Sequence, residues 1–359
     1  MKSRKINQQI AHWRIWTTML LVFLSGCDSN IPPLDAASTT PLASRKEESA
    51  NISGVEVWRV RTDFPNYGSK SPYPYILDGM VVTSSLPNPK DSHASLLTAY
   101  SLSTGQIIWR TKYSDDYGTF ISSACVDKAT KRLYLIYGLG VGAFDLKTGQ
   151  QLWQTERLGT RGKIFIDCWG NGSLQVRTDG IYFYAIDPIN GKILSMQEKA
   201  SSDTLVFSRE GVNIIQVQKG PRTLAQDDNG QVLWQVESYL IGGPVLFVEG
   251  DDILIYQGLP LISLLTRMNY RTGQIIWKTA QIFVSNPVLL DDKVFALTID
   301  GKLSALDVSS GQEIGNVQFD RGFSDVLGEA SFFVAAQSPY VVVYFGDTQE
   351  LVAFKFETQ

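Results

Sequence analysis

Histidine is almost missing from this chain of 359 residues. His12 and His93 are the only two, so a histidine-based zinc site, or a Ser-His-Asp triad with a histidine to spare, has little to draw on. Cysteine is nearly as scarce: Cys27, Cys125 and Cys168 include no adjacent pair and no Cys-x-x-Cys-His run, which excludes a c-type haem attachment. There is no basic excess either, with 32 Lys and Arg against 36 Asp and Glu and a net charge of −4. That balance argues against nucleic acid or an anionic membrane face as the main partner. The apolar run Ile15 to Leu24 is short of the roughly 20 residues needed to span a bilayer.

What that run does suit is targeting. Lys2, Arg4, Lys5 and Arg14 give a positive start, the apolar stretch follows, and it ends in small residues. Leu24-Ser25-Gly26-Cys27 resembles the lipobox of bacterial lipoproteins, which implies cleavage before Cys27 and acylation of that residue. The alternative is an ordinary secretory peptide with a chance cysteine. Residues 1–26 are thus expected to be a signal peptide, and two acyl chains on Cys27 would hold the chain at a membrane without a transmembrane helix. Four of the basic residues and none of the acidic ones fall in that segment, leaving 28 basic against 36 acidic beyond it. Residues 27–53 hold the lipidated cysteine and a stretch rich in Ser, Thr, Ala and Pro, which cannot bury enough surface to fold and reads as a flexible tether.

The remainder, 54–359, is long for a single core, and a repeat accounts for it. A Gly followed four residues later by Trp occurs at Gly54/Trp58, Gly105/Trp109, Gly149/Trp153, Gly230/Trp234 and Gly273/Trp277, using five of the eight tryptophans. Two further units keep the glycine and lose the tryptophan, at Gly191/Ser195 and Gly311/Gly315. From Gly105 the glycines are 44, 42, 39, 43 and 38 residues apart, which is the length of a four-stranded propeller blade. The fullest copy, Ala143-Phe-Asp145-Leu-Lys-Thr148-Gly149-Gln-Gln-Leu-Trp153, has partial copies around Asp187 and Asp307, while Arg267 and Asn269 fill the Ala and Asp slots before Trp277 and the turn before Trp234 is one residue shorter. Asp at that position can bond turn amides, glycine can take positive φ in a tight hairpin, and Trp offers a broad flat surface to an adjoining blade. These are structural roles. The acidic pairs Asp251-Asp252 and Asp291-Asp292 likewise recur at hairpins and read as turns, not as acid/base or metal chemistry.

This pattern resembles the tryptophan-docking repeat of the pyrroloquinoline-quinone (PQQ) type β-propellers. WD-type and kelch-type propellers do not explain it, and the chain has no Trp-Asp dipeptide. The fold expected is all-β: a seven-bladed propeller of four-stranded antiparallel blades. The last copy, Leu351-Val-Ala353-Phe-Lys-Phe356, lacks a docking strand, and Gly54 to Val60 is a docking strand without a blade, so the N-terminal strand is expected to close the last blade. Lipobox, tether and repeat together resemble the BamB-type outer-membrane assembly lipoproteins. Two features depart from them: that family has eight blades, and Asp28 after the lipidated cysteine resembles an inner-membrane retention signal of enteric-type bacteria.

The resemblance implies a non-catalytic protein-interaction scaffold in the cell envelope, exported across the inner membrane and lipid-anchored at a periplasmic or extracellular face, the outer membrane included. It implies envelope-protein partners, a monomeric ring, and no cofactor or metal. A second reading is a propeller that binds a glycan, peptide or small molecule at its channel mouth. A third is a PQQ- and calcium-dependent dehydrogenase, against which the missing Cys-Cys pair and the blade count stand. Blade-joining loops on a rigid scaffold are where binding residues gather, so Asp63, Tyr67, Asp116, Tyr117, Arg161, Tyr239 and Arg321 are the candidate binding face. Cys125 and Cys168 end the predicted first strands of neighbouring blades. They either form a disulfide, which needs Cα atoms within about 7 Å, or are small buried hydrophobes.

Overall fold

A computed structural model describes residues 52–62, 74–85, 94–114, 121–127, 129–137, 140–155, 158, 164–167, 173–178, 182–198, 204–217, 222–236, 239–240, 246–259, 262–320, 322–323 and 332–358. The chain divides into two units, Met1–Glu48 and Ser49–Gln359, and every described residue belongs to the second. Regular structure among the described residues is entirely β.

The first strand, β1 (Ile52–Arg61), takes in two residues of the expected tether and belongs to the last blade. Blade 1 is β2 (Tyr75–Leu77), β3 (Met80–Ser85), β4 (Ala94–Ser101) and β5 (Ile107–Ser114). Blade 2 is β6 (Ile121–Asp127), β7 (Arg132–Tyr137), β8 (Gly140–Asp145) and β9 (Gln151–Gln154). Blade 3 is β10 (Ile164–Asp167), β11 (Leu174–Thr178), β12 (Tyr182–Ile186) and β13 (Ile193–Glu198). Blade 4 is β14 (Thr204–Arg209), β15 (Val212–Val217), β16 (Arg222–Asp227) and β17 (Val232–Val236). In blade 5 the first strand is broken into β18 (Tyr239–Leu240) and β19 (Leu246–Phe247), both paired with β20 (Asp252–Leu259), before β21 (Ile262–Asn269) and β22 (Ile275–Ile282). Blade 6 is β23 (Val288–Leu290), β24 (Lys293–Leu297), β25 (Lys302–Asp307) and β26 (Glu313–Gln318). Blade 7 is β27 (Phe332–Gln337), β28 (Tyr340–Phe345), β29 (Glu350–Thr358) and then β1.

Closure is antiparallel and long. β1 pairs with β29 from Ile52↔Thr358 to Arg61↔Glu350, with a bulge between Glu56 and Trp58. A bulge re-aims every later side chain. Before it, Ile52 packs with Phe295 and Val317 of blade 6; after it, Trp58 and Val60 pack with Val81 and Tyr100 of blade 1. One strand thereby serves both neighbours of its own blade.

The second and third strands of blades 2, 6 and 7 are sandwiched between two blades and run apolar on both faces, whereas in blade 4 the burial alternates along β16, with Thr223 and Ala225 buried between half-buried neighbours. Val341 to Phe345 and Val141 to Phe144 are buried throughout. Fourth strands that carry the tryptophan alternate, as in β5, where Trp109 points inward while Ile108 and Arg110 are exposed. Burying one such indole removes about 150–250 Å² of aromatic surface from water, at about 25 cal/mol per Å², which makes it a main source of stability at its seam.

The docking geometry repeats from seam to seam. The Trp109 indole N–H donates to Leu146 O in the next blade at 3.0 Å, and the indoles of Trp58, Trp153, Trp234 and Trp277 reach Leu102, Pro188, Tyr270 and Val308 in the same way at 2.8–3.1 Å. Each acceptor directly follows the Asp, Ser or Asn slot of the neighbouring turn. Within that turn the Asp145 carboxylate accepts the N–H groups of Lys147 and Thr148 and the Thr148 hydroxyl, which holds its pKa below the usual carboxylate value. The turn glycine is the floor on which the neighbour's indole lies: a Cβ on Gly149 would sit 2.4 Å from Trp109 Cε3, and Gly105, Gly191, Gly273 and Gly311 are equally close to Trp58, Trp153, Trp234 and Trp277.

The two units without tryptophan are explained by their neighbours. Blade 3 carries Ser195 in the Trp slot, and blade 4, which would receive the indole, has the shortened turn; a Cβ on Gly230 would meet nothing within 4 Å. All six residues of β13 are exposed, and no core cluster among the described residues joins blades 3 and 4. At the other exception, Gly315 lies under β1: a Cβ there would sit 2.2 Å from Ile52 O, and the parallel bridge Ile52↔Gly315 merges blades 6 and 7 into one eight-stranded sheet.

Candidate functional site

The closure seam that holds the merged sheet also holds a cleft of about 480 Å³. Two glycines let β1 lie close against blade 6 beside it: Gly315 stands in the slot where five of the fourth strands carry Trp, with Ile52 O 2.2 Å from where its Cβ would be, and a Cβ on Gly54 would sit 2.6 Å from Val317 and 2.7 Å from Phe356. Beyond the single Ile52↔Gly315 bridge, β1 is paired only with β29 and β26 only with β25.

The floor is aromatic. Phe345 and Phe354 are buried, and the half-buried Phe319 stands over them, its centroid 5.0 Å from Phe345 at 81° and 5.9 Å from Phe354 at 64°. The rim is charged. Glu56 accepts two hydrogen bonds from Arg59, at 3.1 and 2.7 Å, and Glu350 accepts a third at 3.0 Å. The Glu56 hydrogen bonds foremost raise the Arg59 pKa further, so the guanidinium stays charged. Asp320 lines the same cleft and has no ion pair among the described residues. Among the described residues two carboxylates share one guanidinium and a third stands apart, so the described part of the rim is net negative.

A second feature departs from the repeat. Arg267, standing where other blades carry an alanine, pairs with Asp252 at 2.6 Å and donates to Val308 O at 2.9 Å, the carbonyl that also receives the Trp277 indole. Asp252 opens β20 and is therefore more than a turn residue: it orients a guanidinium that ties blade 5 to blade 6.

The candidate binding face falls mostly beyond what the structure describes. Asp63, Tyr67, Asp116, Tyr117, Arg161 and Arg321 lie outside the described residues, as do Cys27, Cys168 and the rest of 1–51. Tyr239 is placed by its backbone in β18, paired with Gly258 of β20, rather than in a blade-joining loop. Cys125 lies in β6 and is disulfide-bonded. β6 contacts β10, which ends at Asp167. No group of three or more His, Cys, Asp or Glu side chains among the described residues is arranged to hold a metal ion. Sequence reasoning missed the cleft because its floor comes from β28, β29 and the residue that follows β26, which are far apart in the chain.

The sequence profile of the outer membrane protein assembly factor BamB family matches residues 15–166 and 184–358. The chain belongs to this BamB family. Two curated members align with it at low identity. BamB of Nitrosomonas eutropha is 28% identical over 169 residues, covering 45% of this chain and 40% of that protein; BamB of Yersinia pestis is 25% identical over 212 residues, covering 49% and 53%. The chain spans about half the length of these relatives or less. Among solved structures, BamB from Moraxella catarrhalis superposes with a TM-score of 0.51 at 13% identity, covering 84% of this chain and all of that one. The β-propeller domain of Cps50 (Swd1) from Myceliophteria thermophila reaches 0.57 at 10% identity, and Raptor from Chaetomium thermophilum 0.59 at 10%, the latter over 29% of its length. At such identities the likeness is one of propeller fold.

Proposed function

We propose that this chain is a lipid-anchored, non-catalytic scaffold of the cell envelope that docks on protein partners, as the name of its BamB relatives, outer membrane protein assembly factor, describes for them. The family match over most of the chain carries this reading. Export and acylation at Cys27 rest on the basic start, the short apolar run and Leu24-Ser25-Gly26-Cys27. A rigid ring stitched by indoles suits docking, because it presents its loops at fixed spacing and loses little entropy when a partner binds.

The test is crosslinking and pull-down from native membranes, comparing the wild type with Cys27→Ala. The wild type is expected to sediment with membranes and recover the same envelope protein reproducibly, and Cys27→Ala to lose the membrane association. Failure to recover any protein would remove the scaffold reading. Titration with PQQ and calcium is expected to leave tryptophan fluorescence unchanged; saturable quenching would redirect the reading to a quinoprotein enzyme.

A further inference from the structure

The closure cleft has a size, a floor, a rim and two backbone edges, and each restricts what it can hold. About 480 Å³ is room for two side chains rather than a folded element. The accessible ring of Phe319 favours an apolar group, or a cation over its face. The negative rim of Glu56, Asp320 and Glu350, only partly answered by Arg59, selects against anions and for a positive charge. On their facing edges β1 and β26, paired otherwise with β29 and β25, share only the Ile52↔Gly315 bridge among the described residues, and those edges offer backbone groups for an extended chain to pair with.

We infer that this cleft is a peptide-binding site for an extended segment that presents a basic side chain beside an aromatic or aliphatic one. The apolar side chain seats on Phe319 and the basic one reaches Asp320 and the Glu56–Arg59–Glu350 group. The site is independent of the membrane anchor and belongs to the ring itself, since it exists only where β1 closes blade 7.

The experiment uses the full chain in detergent at 0.15 M salt, an ionic strength that screens distant charges beyond about 8 Å. The probes are fluorescein-labelled octapeptides of alternating Phe–Lys, Phe–Glu and Gly–Lys, followed by anisotropy. The Phe–Lys peptide is expected to bind saturably, Phe–Glu not to bind, and Gly–Lys to bind far more weakly. Glu56→Gln with Asp320→Asn should lower Phe–Lys affinity about tenfold, the scale of two exposed charge contacts. Glu210→Gln with Asp251→Asn changes net charge equally but sits around Arg271 at the seam of blades 4 and 5, and should leave binding unchanged. Val317→Trp should fill the cleft and abolish binding; should that variant fail to fold, the exposed rim pair decides alone. No saturable Phe–Lys binding, equal binding of Phe–Glu, or equal loss in both charge pairs would overturn the inference.

Discussion

Alanine at Gly149 and alanine at Gly230 separate two jobs that the repeat glycine performs. Both residues have positive φ, +71° and +82°. Alanine at either position pays the left-handed backbone penalty of about 1–2 kcal/mol. Only Gly149 lies beneath an indole. Its Cβ would sit 2.4 Å from Trp109 Cε3 and 2.8 Å from Thr111 Oγ1, whereas at Gly230 the space is open. The indole has little freedom to yield, being buried and held by its N–H to Leu146 O. Forcing it aside costs a further ~1–3 kcal/mol for overpacking, and leaving the buried Leu146 carbonyl without its donor costs ~1–3 kcal/mol more. Gly149→Ala should therefore destabilise by about 3–8 kcal/mol and Gly230→Ala by about 1–2. Urea unfolding followed by far-UV circular dichroism measures both, since the slope reports any change in cooperativity. In a Trp109→Ala background most of the extra cost at Gly149 should disappear, because contacting residues couple and only the Thr111 hydroxyl, at 2.8 Å, is left to clash. Equal midpoints for the two single variants, or an undiminished Gly149 penalty without Trp109, would refute the account of the glycine as a floor.

Deleting Gly54 to Arg61 removes nearly all of β1 and should yield insoluble or readily proteolysed protein, whereas Gly315→Val, whose side chain would strike Ile52 O, should lower the melting temperature while leaving the other seams intact; a deletion variant with an unchanged melting temperature would count against closure. Non-reducing peptide mapping should find Cys125 linked to Cys168, given that β6 contacts β10 and Cys125 is bonded; a Cys125 peptide recovered without Cys168 would exclude that pairing. Acid should loosen the turns. Asp127 and Asp145 are held below the usual carboxylate value chiefly by the hydroxyls of Thr130 and Thr148, so their contribution is full above the unfolded pKa of about 3.8 and is lost as pH falls through the lower folded values. Replacing Thr148 by Val should weaken that dependence, read as a flatter change in urea midpoint between pH 4 and 2, and an unchanged slope would dismiss the turn as its source.

The blade boundaries and the ring were legible because they depend on spacing. A glycine every 38 to 44 residues, in most copies with Asp before it or Trp after it, marks one hairpin in each of blades 1 to 6. Which middle strands are buried on both faces was not legible, because a single strand shows only its own composition and the cover over its second face depends on the blades on either side. The same limit applies to the cleft, whose residues are contributed by β1, by β28 and β29, and by the end of β26.

The irregular units show most clearly what a one-dimensional reading leaves out. Ser195 and the shortened turn at Gly230 stand as two unrelated defects in sequence, 35 residues apart, as do Gly315 and the truncated copy at the end of the chain. In the ring each pair meets at one seam, because the indole of one blade is received by the turn of the next. A blade loses its tryptophan where the neighbour has no floor to offer: at blade 4 because the turn is a residue shorter, at blade 7 because that turn is divided between the two ends of the chain. If the missing tryptophans answer missing floors, restoring one half alone should gain nothing. Ser195→Trp should leave the urea midpoint unchanged or lower, by exposing an indole on β13, while Ser195→Trp combined with one residue inserted between Asp227 and Gly230 should raise it above either single change. A gain from Ser195→Trp alone would mean that the seam between blades 3 and 4 already has a receptor, and that the shortened turn is irrelevant to the loss.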